Sequence, residues 1–235
     1  MRVAFISDLH ANIVALDAVL ADIRARRVDQ TVCLGDIVDL GPRPNEVVAR
    51  LRELDIPCIH GNHDPLDEPT NVAHLVEIRD WSASVLTPEN AAWLASLPAH
   101  LRMDLEGVDC LGVHGSPHGV SDNVTAETPH EVLQTWCSGH PFDLLVCGHT
   151  HVQLHRTFDG ATIVNCGSVG QPFRRPYDGT GEPEVLVQCD YAIIEVGQGR
   201  IREVELRSVP LDLAAMRRTY PSDFPCLEQW LRSWD

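Results

Sequence analysis

The sequence predicts an α/β fold, because short apolar segments alternate with segments that repeat apolar residues at helical spacing. Several apolar segments end in glycine and a charged or polar residue, as α/β proteins do where strands end at a binding edge. The 235 residues are 44% hydrophobic, which is enough for a sizeable core. Neither a repeat nor a linker divides the chain, and we therefore expect a single domain over residues 1–235.

The first three apolar segments are predicted strands. The first, RVAFIS, ends at Asp8, and a helix is predicted over 12–26 from its apolar periodicity. The second, QTVCLG, ends at Asp36, and a GPRP turn leads into an amphipathic helix over 45–54. The third, PCIHGNHD, is predicted as a strand with a polar end.

The second half of the chain is richer in predicted strands. Before these strands, residues 67–98 are expected to form a helical cover over the core, with a helix N-cap at TPEN. Two strands then flank Glu106-Gly107, a helix is expected over 128–137, and FDLLVCGHTH is a strand ending in histidines. Turn residues predict one hairpin through Asp159-Gly160 and a longer one through 197–199.

Two segments stand outside this alternation. Residues 167–184 are rich in glycine and proline without apolar periodicity, so we expect a long surface loop and regard it as a candidate lid. Residues 211–235 carry apolar and tryptophan residues at helix-like spacing and are expected to form a helical tail packed against the body.

Composition excludes several functional classes. The formal net charge of −16 repels a phosphate backbone, so duplex nucleic acid is not an expected partner. All basic residues are arginine, which excludes a P-loop or Schiff-base lysine. No apolar stretch approaches the roughly 18 residues needed to span a bilayer, and Asp8 interrupts any signal peptide. We therefore expect a soluble, cytoplasmic protein without a membrane partner, whose cysteines are buried thiols.

Five polar clusters, each at the end of an apolar segment, supply the donors of a candidate metal site. They are DLH at 8–10, GD at 35–36, GNHD at 61–64, HG at 114–115 and GHTH at 148–151. Their donors are too many for one tetrahedral ion and suit two divalent ions about 3.5–4 Å apart. Oxygen and nitrogen donors favour Mn, Fe or Zn over softer copper. Asp36, central among the clusters, is the predicted bridging ligand.

In this order, DLH, GDIVDLGP, GNHD, VHG and GHTH resemble the motifs of the calcineurin-like metallophosphoesterase superfamily. They run from residue 6 to about residue 172. The chain length, GPRPNE and NCGSVGQP most resemble the small bacterial and archaeal phosphodiesterases of the YfcE type. The resemblance implies a four-layer α/β/β/α sandwich with a two-metal site at one edge.

The resemblance also implies a role for each motif residue. One metal would be held by Asp8, His10, Asp36 and His151, and the other by Asp36, Asn62, His114 and His149. His63 would remain unligated as proton donor or transition-state stabiliser, and Asp64 would orient it by a hydrogen bond. The implied reaction is in-line attack on phosphorus by a metal-bridging hydroxide, without a covalent phosphoenzyme.

Four further residues are candidate substrate contacts. Arg174 and Arg175 lie in an insertion relative to the family pattern, where an arginine suits a substrate phosphate. His118, in HGSPHG, and Arg43, in GPRP, are candidates for the mouth of the site. An ordinary surface role is the alternative for all four.

These observations favour a dinuclear metal-dependent phosphoesterase acting on a small phosphodiester or phosphomonoester, with nucleotides among the candidates. Within the same family, a protein phosphatase and a dinucleoside polyphosphate hydrolase remain alternatives. A non-catalytic metal-binding scaffold is the alternative from another class, since the retromer subunit with this fold serves as an interaction surface. The expected partner is a small phosphorylated substrate, and a homo-oligomer is left open.

Overall fold

A computed structural model describes residues 1–67, 69–177 and 183–234. The strands in these ranges are β1 (Arg2–Ile6), β2 (Gln30–Cys33), β3 (His100–Leu105), β4 (Val108–Val113), β5 (Leu144–Cys147), β6 (Leu154–Phe158), β7 (Ala161–Asn165), β8 (Gln188–Gly197) and β9 (Arg200–Pro210). The helices are α1 (Ile13–Ala25), α2 (Pro44–Glu53), α3 (Ala73–Val85), α4 (Pro88–Ala95), α5 (His130–Trp136), α6 (Leu213–Thr219) and α7 (Leu227–Arg232). None of these helices is both long and apolar enough to cross a membrane.

The strands form two sheets. The first has the order β2-β1-β8-β9, in which β1 is parallel to β2 and antiparallel to β8. The second has the order β3-β4-β5-β7-β6, in which β4, β5 and β7 are parallel. The predicted hairpins are confirmed, since β6 pairs with β7 and β8 pairs with β9 as antiparallel neighbours.

Alternation along the strands packs the two sheets against each other and against helices. In β1, Val3 and Phe5 join the apolar cluster between the sheets, which also contains Leu144 and Val146 of β5. The intervening residues of β1 face a second cluster built from α1, α2 and α6. The intervening residues of β5 pack against α5 in a third cluster, which contains Leu133. The predicted mixed α/β fold, with two sheets flanked by helices, is confirmed.

Local sequence explains where the helices begin. The side chain of Asn12 accepts a hydrogen bond from the Ala15 N–H and caps α1. Pro44 occupies the first turn of α2, where its missing N–H costs no hydrogen bond. Thr87 caps α4 by accepting from the Asn90 N–H.

The predicted third strand, at 57–64, is wrong. Only a single bridge pairs this segment with β2, between Cys58 and Cys33. The segment then leaves the sheet, because the N–H of His60 donates to the carbonyl of Pro98 instead. The chain is thereby free to turn, and it delivers its polar residues to the edge of the sheet.

The segments predicted as a cover and a tail contain helices that pack on each other. Ile78 of α3 contacts Phe224 and Trp230 of the tail in a separate apolar cluster. Leu94 of α4 packs into the main core. Residues 67–72 contain no helix or strand in their described part, and the tail's last residue, 235, lies outside the described residues.

The described parts of the predicted surface loop at 167–184 are irregular. They contain one isolated bridge, between Phe173 and Val185. Residues 178–182, the centre of the candidate lid, lie outside the described residues. The lid therefore stays a prediction.

Asp22 ties α1 to the first sheet. Its Oδ2 atom accepts hydrogen bonds from the Tyr191 hydroxyl at 2.5 Å and from Arg207 Nε at 2.9 Å. Burial alone raises the pKa of Asp22, but these two hydrogen bonds outweigh it and lower the pKa. The folded protein therefore favours the ionised carboxylate.

Asp22→Ala is expected to lower the free energy of unfolding by about 1–3 kcal/mol at pH 7, because two donors lose their charged acceptor. A lowered folded pKa gives stability that is complete above the unfolded value of about 3.9 and is lost as pH falls through the folded pKa. The difference in free energy of unfolding between wild type and Asp22→Ala should therefore become smaller below about pH 4. Urea unfolding at pH 7 and pH 3.5, with chelator, measures it. Asp80→Ala, whose side chain is 69% exposed, is the control, and a pH-independent difference would contradict the assignment.

Candidate metal centre

The predicted ligands other than Asn62 meet at one edge because each follows a strand of a parallel pair. Asp8 and His10 follow β1, Asp36 follows β2, His114 follows β4, and His149 follows β5. Five ligand residues have left-handed backbone conformations, with φ of 54° at Asp8, 44° at His10, 51° at Asp36, 66° at His149 and 59° at His151. Such backbone costs free energy for residues other than glycine and is typical of functional sites.

A first group of buried donors comprises Asp8, His10, Asp36 and His151, whose ligand atoms all lie within 4.8 Å of one another. The Nε2 atoms of His10 and His151 are 3.1 Å apart. His151 Nε2 is also 3.2 Å from Asp8 Oδ1, and His10 Nε2 is 3.8 Å from Asp36 Oδ2. These four residues are those that the resemblance assigns to one metal.

A second group shares Asp36 with the first and adds His114 and His149. His114 Nε2 lies 3.2 Å from Asp36 Oδ2 and 3.1 Å from the side-chain oxygen of Asn62. The structure therefore brings all seven predicted ligands to one place. Asp36 is the residue common to both groups, as expected of a bridging ligand.

Backbone carbonyls orient two of the imidazoles. His114 Nδ1 lies 2.7 Å from the carbonyl of Leu34, and His151 Nδ1 lies 2.6 Å from the carbonyl of Gln171. Each Nδ1 therefore donates its proton outward, and each Nε2 faces the carboxylates.

Two features inside the cluster fit a bound cation. With the Nδ1 proton of His151 directed at a carbonyl, two imidazole Nε2 atoms face each other at 3.1 Å. Asp8 Oδ2 accepts a hydrogen bond from the His149 N–H, whereas the buried Asp8 Oδ1 has no hydrogen-bond donor. A divalent ion would satisfy these donor atoms together, and their oxygen and nitrogen chemistry suits Mn, Fe or Zn.

The electrostatics of the cluster sets different protonation states for Asp8, His10 and His114. Burial and then the charge of His151 lower the pKa of His10 to about 3. For Asp8, burial raises the pKa, but the charges of His151 and His114 outweigh it and lower the pKa to about 2. Burial lowers the pKa of His114, yet the charge of Asp36 raises it to about 10. At neutral pH the Asp8 carboxylate is ionised and the His10 imidazole is neutral, as metal ligands must be, whereas His114 has to release a proton before it can bind a metal.

The expectation that Asp64 orients His63 is wrong. His63 Nδ1 lies 2.8 Å from Asp39 Oδ2, so Asp39 is the carboxylate that holds the ring. Asp64 is instead buried beneath the loops, where it accepts hydrogen bonds from the N–H groups of Asp36, Ile37, Val38 and Gly61. Asp64 cannot orient His63 because four converging backbone N–H groups already hold its carboxylate.

Sequence reasoning missed Asp39. It is the second carboxylate of GDIVDLGP, three residues after Asp36, and its place in that motif was the available signal. Its side chain is 3% exposed and also accepts from the Leu40 N–H at 2.8 Å. No spacing rule links it to His63, which lies 24 residues further along the chain.

A cavity of about 610 Å³ lies over the cluster. Asp36, Asn62, His63, His149 and His151 form its inner wall. Three outer segments border it, at 69–75 before and within α3, at 171–177 after β7, and at 229–233 within and just after α7.

None of the four candidate substrate contacts is among the described residues that line this cavity. The guanidinium of Arg174 pairs with Glu184, and Arg175 is exposed beside it. His118 Nδ1 is 3.1 Å from the Asp122 carboxylate, and its side chain is 64% exposed. Arg43 is paired with Glu46 at the start of α2. The structure therefore does not bring these side chains to the metal ligands.

The same fold recurs in distantly related proteins. YfcE, a phosphoesterase from E. coli, superposes with a TM-score of 0.51 at 20% identity, over 87% of this chain and 98% of YfcE. Vps29 from Entamoeba histolytica, in a complex with zinc, superposes with a TM-score of 0.52 at 15% identity, over 89% of this chain and 99% of Vps29. At these identities the likeness is one of fold.

Two other proteins are more similar in sequence. An uncharacterized protein from Methanocaldococcus jannaschii is 31% identical over 192 residues, which are 72% of this chain and 76% of that protein. A metallophosphoesterase from Sphaerobacter thermophilus superposes with a TM-score of 0.73 at 30% identity, over 99% of both chains. Residues 1–187 match the calcineurin-like phosphoesterase superfamily domain. With its motif residues gathered into one buried cluster, the chain belongs to the calcineurin-like phosphoesterase superfamily.

Proposed function

We propose that this protein is a phosphoesterase that binds two divalent ions and hydrolyses a small phosphodiester or phosphomonoester. The observation that carries the proposal is the pair of buried donor groups sharing Asp36, next to the His63–Asp39 pair and under one cavity. Mn, Fe and Zn all suit the donor set.

Two ions bound here would lower the pKa of a coordinated water and offset the negative charge of the phosphoryl oxygens. Asp8, His10, Asp36 and His151 would hold one ion, and Asp36, Asn62, His114 and His149 the other. The chain's own contribution is to fix these donors in a dry site, since six of the seven residues are buried.

His63 supplies the proton that the leaving oxygen needs. Asp39 holds Nδ1, so we assign Nε2 as the atom that donates to the leaving group. The pair thus acts as an oriented general acid on the inner wall of the cavity.

The borders of the cavity support a small substrate. The outer segments narrow the space in front of the ligands to about 610 Å³, a volume typical of small-molecule sites. A phosphorylated protein loop would need a more open surface than these segments leave, which disfavours a protein phosphatase. No arginine is among the described lining residues, and the chain carries a net charge of −16. Both facts disfavour a dinucleoside polyphosphate hydrolase.

A non-catalytic scaffold is the second candidate, and the fold likeness to Vps29 favours it. Because that Vps29 structure is a complex with zinc, metal binding alone does not separate a scaffold from an enzyme. A scaffold has no use for a proton donor, whereas this chain keeps His63 paired with a buried carboxylate. Catalysis is therefore the better-supported candidate.

Hydrolysis of bis-p-nitrophenyl phosphate and p-nitrophenyl phosphate with added Mn²⁺ tests the activity. We expect His63→Ala to lower kcat at least about 10²-fold with metal content unchanged, because only proton donation is lost. Asp36→Asn should abolish turnover through loss of metal. The preferred ester separates a diesterase from a monoesterase. Turnover of neither ester by protein loaded with two metals per chain would favour the scaffold.

Asp39→Asn tests the corrected partner of His63. We expect kcat to fall about 10²-fold while KM and metal content stay close to wild type, because the ring loses its orienting charge. Asp64→Asn should instead lower the free energy of unfolding by about 2–4 kcal/mol, since an amide presents N–H groups to backbone donors. Steady-state kinetics and urea unfolding on both variants provide the readouts. An Asp39→Asn variant with wild-type kcat would refute the assignment.

Gly61→Ala tests the packing that holds Asp36 in place. A Cβ atom at Gly61 would overlap the Asp36 carboxylate, so the shared ligand has to move. Calorimetric titration of chelator-treated protein with Mn²⁺ should show affinity at least about tenfold weaker and a stoichiometry below two. Gly197→Ala is the matched control, because a Cβ there makes only ordinary contacts of 3.6 Å or more and Gly197 lacks the left-handed backbone that strains a side chain. Equal Mn²⁺ binding by the two variants would contradict the two-metal proposal around Asp36.

A further inference from the structure

The outer half of the cavity differs chemically from its inner wall. It is bordered by the three outer segments and contains side chains that no metal needs. The cavity volume of about 610 Å³ leaves room for an organic group beside the phosphate. The side chains there border the space that such a group would occupy.

Three aromatic side chains face this space. Phe173 is stacked on His151, with ring centroids 4.3 Å apart and planes 25° from parallel. Trp230 is anchored from behind by Ile78 and donates through Nε1 to the Tyr220 hydroxyl at 3.0 Å. Tyr177 is 42% exposed at the border of the cavity. Phe173 and Trp230 are held in place by these contacts, and aromatic rings that border a cavity are stacking surfaces for a planar ligand.

The outer half of the cavity offers side-chain amides and a hydroxyl as hydrogen-bond donors and acceptors. Gln229 Nε2 of α7 lies 3.2 Å from His74 Nδ1 of α3, so the two helices meet through a polar pair at the border. Asn123 and Thr70 add an amide and a hydroxyl. Uncharged amides and hydroxyls pair with the edge of a heteroaromatic ring, whereas additional phosphates would call for arginine.

We propose that the outer half of the cavity binds a planar, uncharged heteroaromatic ring of the nucleobase type, carried on a substrate with a single phosphoester. Tyr177 and Trp230 provide stacking faces, and Gln229 provides an amide for the ring edge. The assignment rests on the proposed phosphoesterase function for the position of the phosphate. An aliphatic group would leave the aromatic faces and the amides without matched partners.

Binding of a nucleoside without phosphate tests the ring site separately from catalysis. Chelator-treated protein is titrated with adenosine and with ribose by calorimetry. We expect adenosine to bind at least about tenfold more tightly than ribose, because stacking on aromatic side chains provides most of the affinity. Tyr177→Ala should weaken adenosine binding about tenfold, and Tyr177→Phe should restore it because the ring returns.

Gln229→Ala should also weaken adenosine binding, whereas Glu228→Ala, an exposed neighbour on α7 that does not line the cavity, should leave it unchanged. Equal affinity for adenosine and ribose, or a Tyr177→Ala variant that binds adenosine as wild type does, overturns the proposal. Hydrolysis of bis-p-nitrophenyl phosphate by the Mn²⁺-loaded protein separates the two hypotheses. Turnover without adenosine binding refutes only the ring site, and adenosine binding without turnover of any ester refutes only the phosphoesterase.

Discussion

The site depends on a reciprocal clamp between two loops, formed by Asp36 and Asp64. The carboxylate of Asp64 accepts four backbone N–H groups, three of them from residues 36–38, at 2.7–3.2 Å. In return, Asp36 Oδ1 accepts the His63 N–H at 2.9 Å. Because each carboxylate is bound to the other loop's backbone, Asn62 and His63 are fixed beside the shared ligand. Buried charge-assisted hydrogen bonds of this kind are stronger than neutral ones.

The sequence predicts which donors gather at one edge because most of them, all but Asn62, follow an apolar strand. Strand direction brings such residues to one edge without knowledge of any long-range contact. The partner of His63 was not predictable in this way, because the choice between Asp39 and Asp64 depends on which loop amides converge on which carboxylate. The segment around Cys58 has the composition of a strand, yet its hydrogen bonds go elsewhere after one bridge. Long-range hydrogen bonds decide both cases, and in the Cys58 segment they outweigh its strand propensity.

The cavity border was also beyond sequence reasoning, for a different reason. It is formed where α3 and α7 meet, and the contact between His74 and Gln229 joins residues 155 positions apart. Arg174 and Arg175 are predicted phosphate contacts on the basis of their charge alone, but the Arg174 side chain pairs with Glu184. The superfamily match ends at residue 187, so α7 and its share of the cavity lie beyond it. Ligand positions thus come from the shared domain, whereas part of the substrate environment comes from outside it.

The first sheet joins the two halves of the chain. β8 lies between β1 and β9, and Val3 pairs with Ile194. During synthesis one edge of β1 therefore stays unpaired until β8 has been made. All five strands of the second sheet, in contrast, lie between residues 100 and 165. Strand pairings of such long sequence separation slow folding. An unpaired strand edge can also pair with strands of other chains. Asp8 and His10 follow β1 directly, so their positions depend on a strand pairing that spans nearly the whole chain.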